Sequence, residues 1–224
     1  MSIATTKTRI YMKERISIIL AVVGFCARQL APGQGTIYLS NLGQTPGGSG
    51  AVGNDQWLAA AFFTGNAPGG YTLNSIRLLM NPAFGNPSGF TVAIYNINGS
   101  FPGTSLVSLS GADPAMGGDF IYTAPGTSLS PSIDYFVVIT AATPVANGYY
   151  NWSSASSENY SSSEGWGLAP VIYNSSDGTS WELHRTYPFQ LAVDATAVPE
   201  PSMLAVVGLG LAALSFWRFR QSKN

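Results

Sequence analysis

Seven pairs of turn-forming residues punctuate this chain: Pro46-Gly47, Pro68-Gly69, Asn98-Gly99, Pro102-Gly103, Pro125-Gly126, Asn147-Gly148 and Asp177-Gly178. Proline fixes φ, glycine reaches positive φ, and Asn or Asp tolerates it, so such pairs break helices and fit tight turns. Between them lie short apolar runs, and no long helical period spans residues 36–198. GFTVAIYN sets Phe90, Val92 and Ile94 on one face and Thr91, Ala93 and Tyr95 on the other. IDYFVVITA is apolar on both faces, as a central strand would be. The remaining strand candidates are TIYLSNL at 36–42, QWLAAAFFT at 56–64, YTLNSIRLLM at 71–80, DFIYT at 119–123, PVIYN at 170–174, TSWELH at 179–184 and the closing YPFQLAVD at 187–194. Many short strands at this spacing predict an all-β domain, a jelly-roll-like β-sandwich over residues 36–195. A domain of that length buries roughly 70% of its unfolded surface and needs no disulfide or metal to fold.

Charge narrows the partners. The segment from Thr36 to Val198 has no lysine, and Arg77 and Arg185 stand against nine carboxylates, a net of −7. Nucleic acid is excluded as a partner on this ground, because phosphate contacts need Lys and Arg. The only cysteine, Cys26, lies near the N-terminus, so the β domain has neither disulfides nor thiolate chemistry.

Candidate chemistry within the domain is sparse. His184 is the only histidine, no Gly-x-Ser-x-Gly elbow accompanies it, and a surface role explains it better than catalysis. Glu158, Glu164 and Glu182 are the carboxylates a glycoside hydrolase would use; solvated loop and strand-surface acids account for them better. One histidine and a cysteine-free domain argue against a transition-metal site. Asn174-Ser175-Ser176-Asp177-Gly178 offers hard oxygen ligands of the kind Ca²⁺ takes, without EF-hand spacing, and a hairpin turn explains it without a metal. Asp113 and Asp119 flank GADPAMGGD with the same ambiguity. Residues 149–187 are dense in aromatics, and Trp152, Trp166, Trp181 and Tyr160 form the candidate platform for stacking on sugar rings. Ordinary core packing is the competing explanation for them.

The two ends read as addresses. A basic opening precedes ISIILAVVGFCA, Ile16 to Ala27, an apolar helix of signal-peptide length and too short to span a bilayer. Met12 offers a second start, from which MKERISIILAVVGFCA reads as an ordinary signal. At the other end stand Val198-Pro199-Glu200-Pro201, the uncharged run MLAVVGLGLAALSFW, and a basic close at Arg218, Arg220 and Lys223. The prolines hold Glu200 in a stretch that cannot join a helix. The apolar run predicts a short membrane helix whose basic end stays on the cytoplasmic side.

This order resembles the PEP-CTERM sorting signal of Gram-negative bacteria, although the basic cluster reads Arg-Phe-Arg rather than an unbroken run of arginines. The resemblance implies an exosortase, a membrane transpeptidase that cuts near the motif, as processing partner. It also implies passage through the inner membrane, then delivery to the cell surface or the extracellular space, in organisms that make exopolysaccharide. A simple C-terminal membrane anchor is the alternative. TIYLSNLG, APGTSLSPSIDYFVVIT and NSSDGTSWELH…FQLAV resemble the choice-of-anchor R domains of bacterial surface proteins, for which no activity or site residues carry over. The expected organisation is a signal and leader at 1–35, the β domain at 36–195 and a sorting signal at 196–224. Within that signal the motif occupies 198–201, the membrane helix 202–217 and the basic end 218–223. The expected function is a non-catalytic envelope or matrix protein associated with exopolysaccharide. A carbohydrate-binding module is the alternative, and a surface glycoside hydrolase the third reading.

Overall fold

The computed structural model describes residues 35–184 and 186–200, together with Gly210. The expected signal segment with Met12 and Cys26, and Pro201, the apolar run 202–217, Arg218, Arg220 and Lys223, lie outside the described residues. Residues Gln34–Val198 form one compact unit.

Among the described residues the chain is all-β, with two antiparallel sheets and almost no helix. In chain order the strands are β1 (Thr36–Ser40), β2 (Pro46–Val52), β3 (Trp57–Phe63), β4 (Tyr71–Gly85), β5 (Thr91–Asn98), β6 (Phe101–Leu109) and β7 (Gly118–Leu129). They continue with β8 (Asp134–Thr140), β9 (Gly148–Ala155), β10 (Ser161–Ser162), β11 (Gly167–Leu168), β12 (Ile172–Ser175), β13 (Glu182–His184) and β14 (Leu191–Ala197). A 3₁₀ turn, Val145–Asn147, precedes β9. The first sheet runs β10-β1-β14-β4-β9-β2, with β7 also on β4; the second runs β13-β12-β3-β8-β5-β6, with β11 also on β3. The length of β4 explains its three partners. Its first part, Tyr71–Leu78, pairs β14, its end pairs β9 from Met80 to Gly85, and β7 runs along its other side.

One core draws on both sheets. Alternate residues of β4 (Leu73, Ile76, Leu78, Met80) and β14 (Leu191, Val193, Ala195) meet Leu58, Ala60 and Phe62 of β3 and Val137 and Ile139 of β8. Period-two alternation puts these side chains on one face of each strand. Trp166 joins the layers, stacked on Tyr38 at 5.1 Å and on Phe62 at 6.0 Å, with its edge to Tyr71 at 4.8 Å. Trp152 stacks on Phe189 at 4.4 Å and donates its indole N–H to Gln190 O at 3.0 Å.

A polar knot is buried where β14 begins. Asn41 Nδ2 donates to Phe189 O (3.0 Å), and its Oδ1 accepts from the Leu191 N–H (2.7 Å). Gln190 Oε1 accepts from the Ser153 hydroxyl (2.7 Å), and its Nε2 donates to Gln44 O (2.8 Å). Buried amides persist only when partnered in this way, and the knot fixes the register of β14 against its neighbours.

Three of the seven punctuating pairs do not make turns. Pro46-Gly47 lies in β2, Pro102-Gly103 in β6 and Pro125-Gly126 in β7, each where the pairing register shifts. Gly126 has φ +74° and bulges out between Thr123, opposite Ser75, and Thr127, opposite Leu73. The reason is positional: β2 and β6 end their sheets, β7 has β4 as its strand partner and meets Ser110 in an isolated bridge at Thr123 on its other side, and bulged or edge strands tolerate a missing N–H.

Candidate functional site

The last strand runs straight into the tail. β14 ends at Ala197, and the next residue still holds the fold: the Val198 N–H donates to Gly70 O at 2.9 Å. Gly69 lies against this junction so closely that a Cβ there would strike Val198 O. Pro199 follows at once and has no N–H to continue the ladder, and Glu200 is exposed beyond it. A carboxylate flanked by proline, outside any hydrogen-bonded element, is open to an enzyme that binds its substrate extended. Residues 197–221 match the PEP-CTERM protein-sorting motif. The motif implies an exported protein that passes through the membrane to the cell surface and is processed by an exosortase. No curated protein and no solved structure shows significant similarity to the chain.

The expected sugar platform does not assemble. Trp152 and Trp166 are fully interior, at 0% and 2% exposure, so neither ring is available to a ligand. Their aromatic stacking links strands and layers instead, which is the packing alternative. Tyr160 is exposed in the loop before β10 of the first sheet, while Trp181 lies half-buried beside β13 of the second.

A second aromatic cluster comes from a different set. The side of the second sheet turned away from the shared core carries Ala59, Ala61, Phe136, Val138 and Tyr173, with Trp57, Tyr95 and Trp181 packed against them. Alanines on β3 leave room for Tyr173 of β12 to reach Phe136 of β8, edge-to-face at 5.2 Å. Phe101, near the tip of the β5–β6 hairpin, approaches Tyr173 at 6.1 Å. Trp57 donates its indole N–H to Asn54 O at 3.1 Å. Trp57, Tyr95 and Phe101 are not legible as a group in the sequence, because they stand as singletons on three different strands, apart from the dense aromatics at 149–187. The signal available was Trp57 and Tyr95 falling out of phase with the apolar face of their own strands.

The candidate acids are dispersed or already engaged. Glu158 and Glu164 occupy exposed loops on either side of β10, and Glu182 lies on β13 of the other sheet. His184 is exposed, with its Nε2 3.7 Å from Glu182 Oε2. Asp177 Oδ1 accepts the N–H groups of Thr179 and Ser180, both at 2.8 Å, and the Ser175 hydroxyl at 3.0 Å. Those donors hold its carboxyl well below the usual carboxylate range, the Ser180 and Thr179 amides contributing most. Asp119 pairs with Arg77 across β7 and β4. Asp113 Oδ2 accepts from Gly89 N–H at 3.1 Å and lies 2.9 Å from the Tyr150 hydroxyl. Burial, then the nearby Asp113 carboxylate, pushes the phenols of Tyr150 and Tyr122 well above their ordinary value. Among the described residues no three His, Cys, Asp or Glu side chains group as metal ligands.

Proposed function

We propose that this chain is a non-catalytic β-sandwich protein of the cell envelope or extracellular matrix, sorted by its tail and associated with exopolysaccharide. The observation that carries the reading is the sorting motif beginning at Ala197, the last residue of the last strand of a folded, cysteine-free domain. Strand order supports the sandwich. The path β7-β4-β9-β2 in one sheet and β3-β8-β5-β6 in the other is the two-sheet, eight-strand order of a jelly roll, with β14, β1 and β10 extending the first sheet and β11 to β13 the second. The common core between the sheets supports it as well. The non-catalytic reading is supported by the dispersal of the candidate acids and by the structural engagement of Asp113, Asp119 and Asp177.

Intact mass and cell fractionation in the native host test the proposal, with and without Glu200→Ala. The expected result is a wild-type protein trimmed at both ends and found outside the inner membrane, and a variant retained there uncut. A wild type that keeps its tail in the inner membrane would leave a tail-anchored periplasmic domain and remove the matrix role.

A further inference from the structure

Between the tip of the β5–β6 hairpin and the β12–β13 loop lies a cleft of about 340 Å³, within the size range of small-molecule sites. Asn96, Ile97, Asn98 and Pro102 form one wall, and Gly178 and Thr179 the other. No ionisable side chain lines it. Asn96 is held in place: its Oδ1 accepts from the Thr104 N–H at 2.6 Å and from the Thr104 hydroxyl at 3.2 Å. Gly103 makes room for that, since a Cβ there would strike the same oxygen. The Nδ2 of Asn96 and the whole amide of Asn98 are left without hydrogen-bond partners among the described residues. Beside them, Ile97 and Phe101 are 37% and 39% exposed.

We infer that this cleft binds a segment of neutral polysaccharide, with Asn96 and Asn98 hydrogen-bonding its hydroxyls and Ile97 and Pro102 meeting its C–H surfaces. The chemistry excludes the other classes. An anionic ligand would find no cation lining the cleft, and a cationic one no carboxylate free to receive it. A wholly apolar ligand would strand the amide donors, at a cost that hydroxyl groups remove. Sugar rings present hydroxyls at their edges and apolar C–H groups on their faces, matching amides beside the apolar Ile97 and Pro102. The inference rests on the surface-sorting reading only for where the ligand is met.

The test uses the full chain, purified in a non-glycosidic detergent and titrated calorimetrically with cellohexaose, mannohexaose and laminarihexaose. Saturable binding of at least one hexasaccharide is expected. Asn98→Ala should weaken it about fivefold or more, with an unchanged melting temperature, because that amide holds nothing in the fold. Asn96→Ala should weaken it as well. Phe84→Ala is the control: Phe84, outside the cleft, is 65% exposed and stacks on the half-buried Tyr149 at 5.3 Å. Absence of binding by all three probes, binding that survives Asn98→Ala, or binding lost only with Phe84→Ala would each overturn the assignment. A protein that is sorted but binds none of the probes loses the cleft inference alone. One that binds but keeps its tail loses the sorting reading alone.

Discussion

The two sheets share a core and differ in the face each turns away from it. The outer face of the first sheet mixes polar groups with single exposed apolar ones: Asn74 bridges Asp194 (2.7 Å) and Thr196 (3.0 Å), Arg77 pairs with Asp119, and Ile121, opposite Arg77, stays 53% exposed. The outer face of the second sheet is a small apolar cluster in its own right, with Phe136 at 1% and Val138 at 2% exposure. A face designed only for water would resemble the first. The second spends buried aromatic surface away from the main core, and the cleft described above lies beside the hairpins that cover it. The lesson is that the apolar-on-both-faces pattern of β8 marks the side of the molecule with something to cover, not simply a strand in the middle of a sheet.

Substitutions can break that comparison, and the largest effect belongs to the shared core. Trp152→Ala should cost about 3–5 kcal/mol in denaturant unfolding, since the ring is fully buried against Phe189 and donates a hydrogen bond. Phe136→Ala should cost about 3 kcal/mol although it lies on the outer face; a loss under about 0.5 kcal/mol, the value usual for surface sites, would make the second cluster ordinary surface. Asn74→Ala should cost about 1 kcal/mol, and Arg77→Ala, in a half-exposed ion pair, less than about 1 kcal/mol with a dependence on salt. The pH profile gives the smallest and most specific effects. Because Tyr122 and Tyr150 ionise far less readily folded than unfolded, the folded state retains protons that the unfolded chain loses, so stability should fall as pH rises above about 10; Tyr150→Phe should flatten that decline. Asp177 carries the opposite sign. Its contribution is present above the unfolded carboxylate value and is lost as pH falls through the lower folded one, so its carboxyl carbon should still be ionised in an NMR titration after an ordinary exposed aspartate has protonated.

Much of the fold was legible from alternation. β1, β3, β5, β8 and β14 fall close to the runs that predicted them, because half-buried strands announce themselves with period two. β2 was invisible: PGGSGAV has no apolar period, and an edge strand lined with glycine is held by backbone pairing with β9 rather than by side chains. The Pro-Gly pairs misled for the same reason, since a bulge and a turn make the same dihedral demands and differ only in what the chain does next. Of the candidate sites, the sorting motif was legible because its order is contained in one contiguous segment. The aromatic residues were not, because whether a tryptophan faces core or solvent is decided by partners distant in the sequence, such as Phe189 for Trp152 and Tyr38 for Trp166.

The absence of a linker between β14 and the tail has a mechanical side. Any tension on Pro199 enters the domain along β14, which is hydrogen-bonded on one side to β1 and on the other to β4. Drag on the body of the protein would therefore load two rows of hydrogen bonds lengthwise and together, rather than opening them one at a time. Thr36 faces Ala195 across the β1–β14 pair, so pulling the two chain ends apart from each other would peel that same pair like a zipper. A domain held only by its tail is thus strong in the direction in which a flowing medium pulls, and weak in the one direction that a second tether would add.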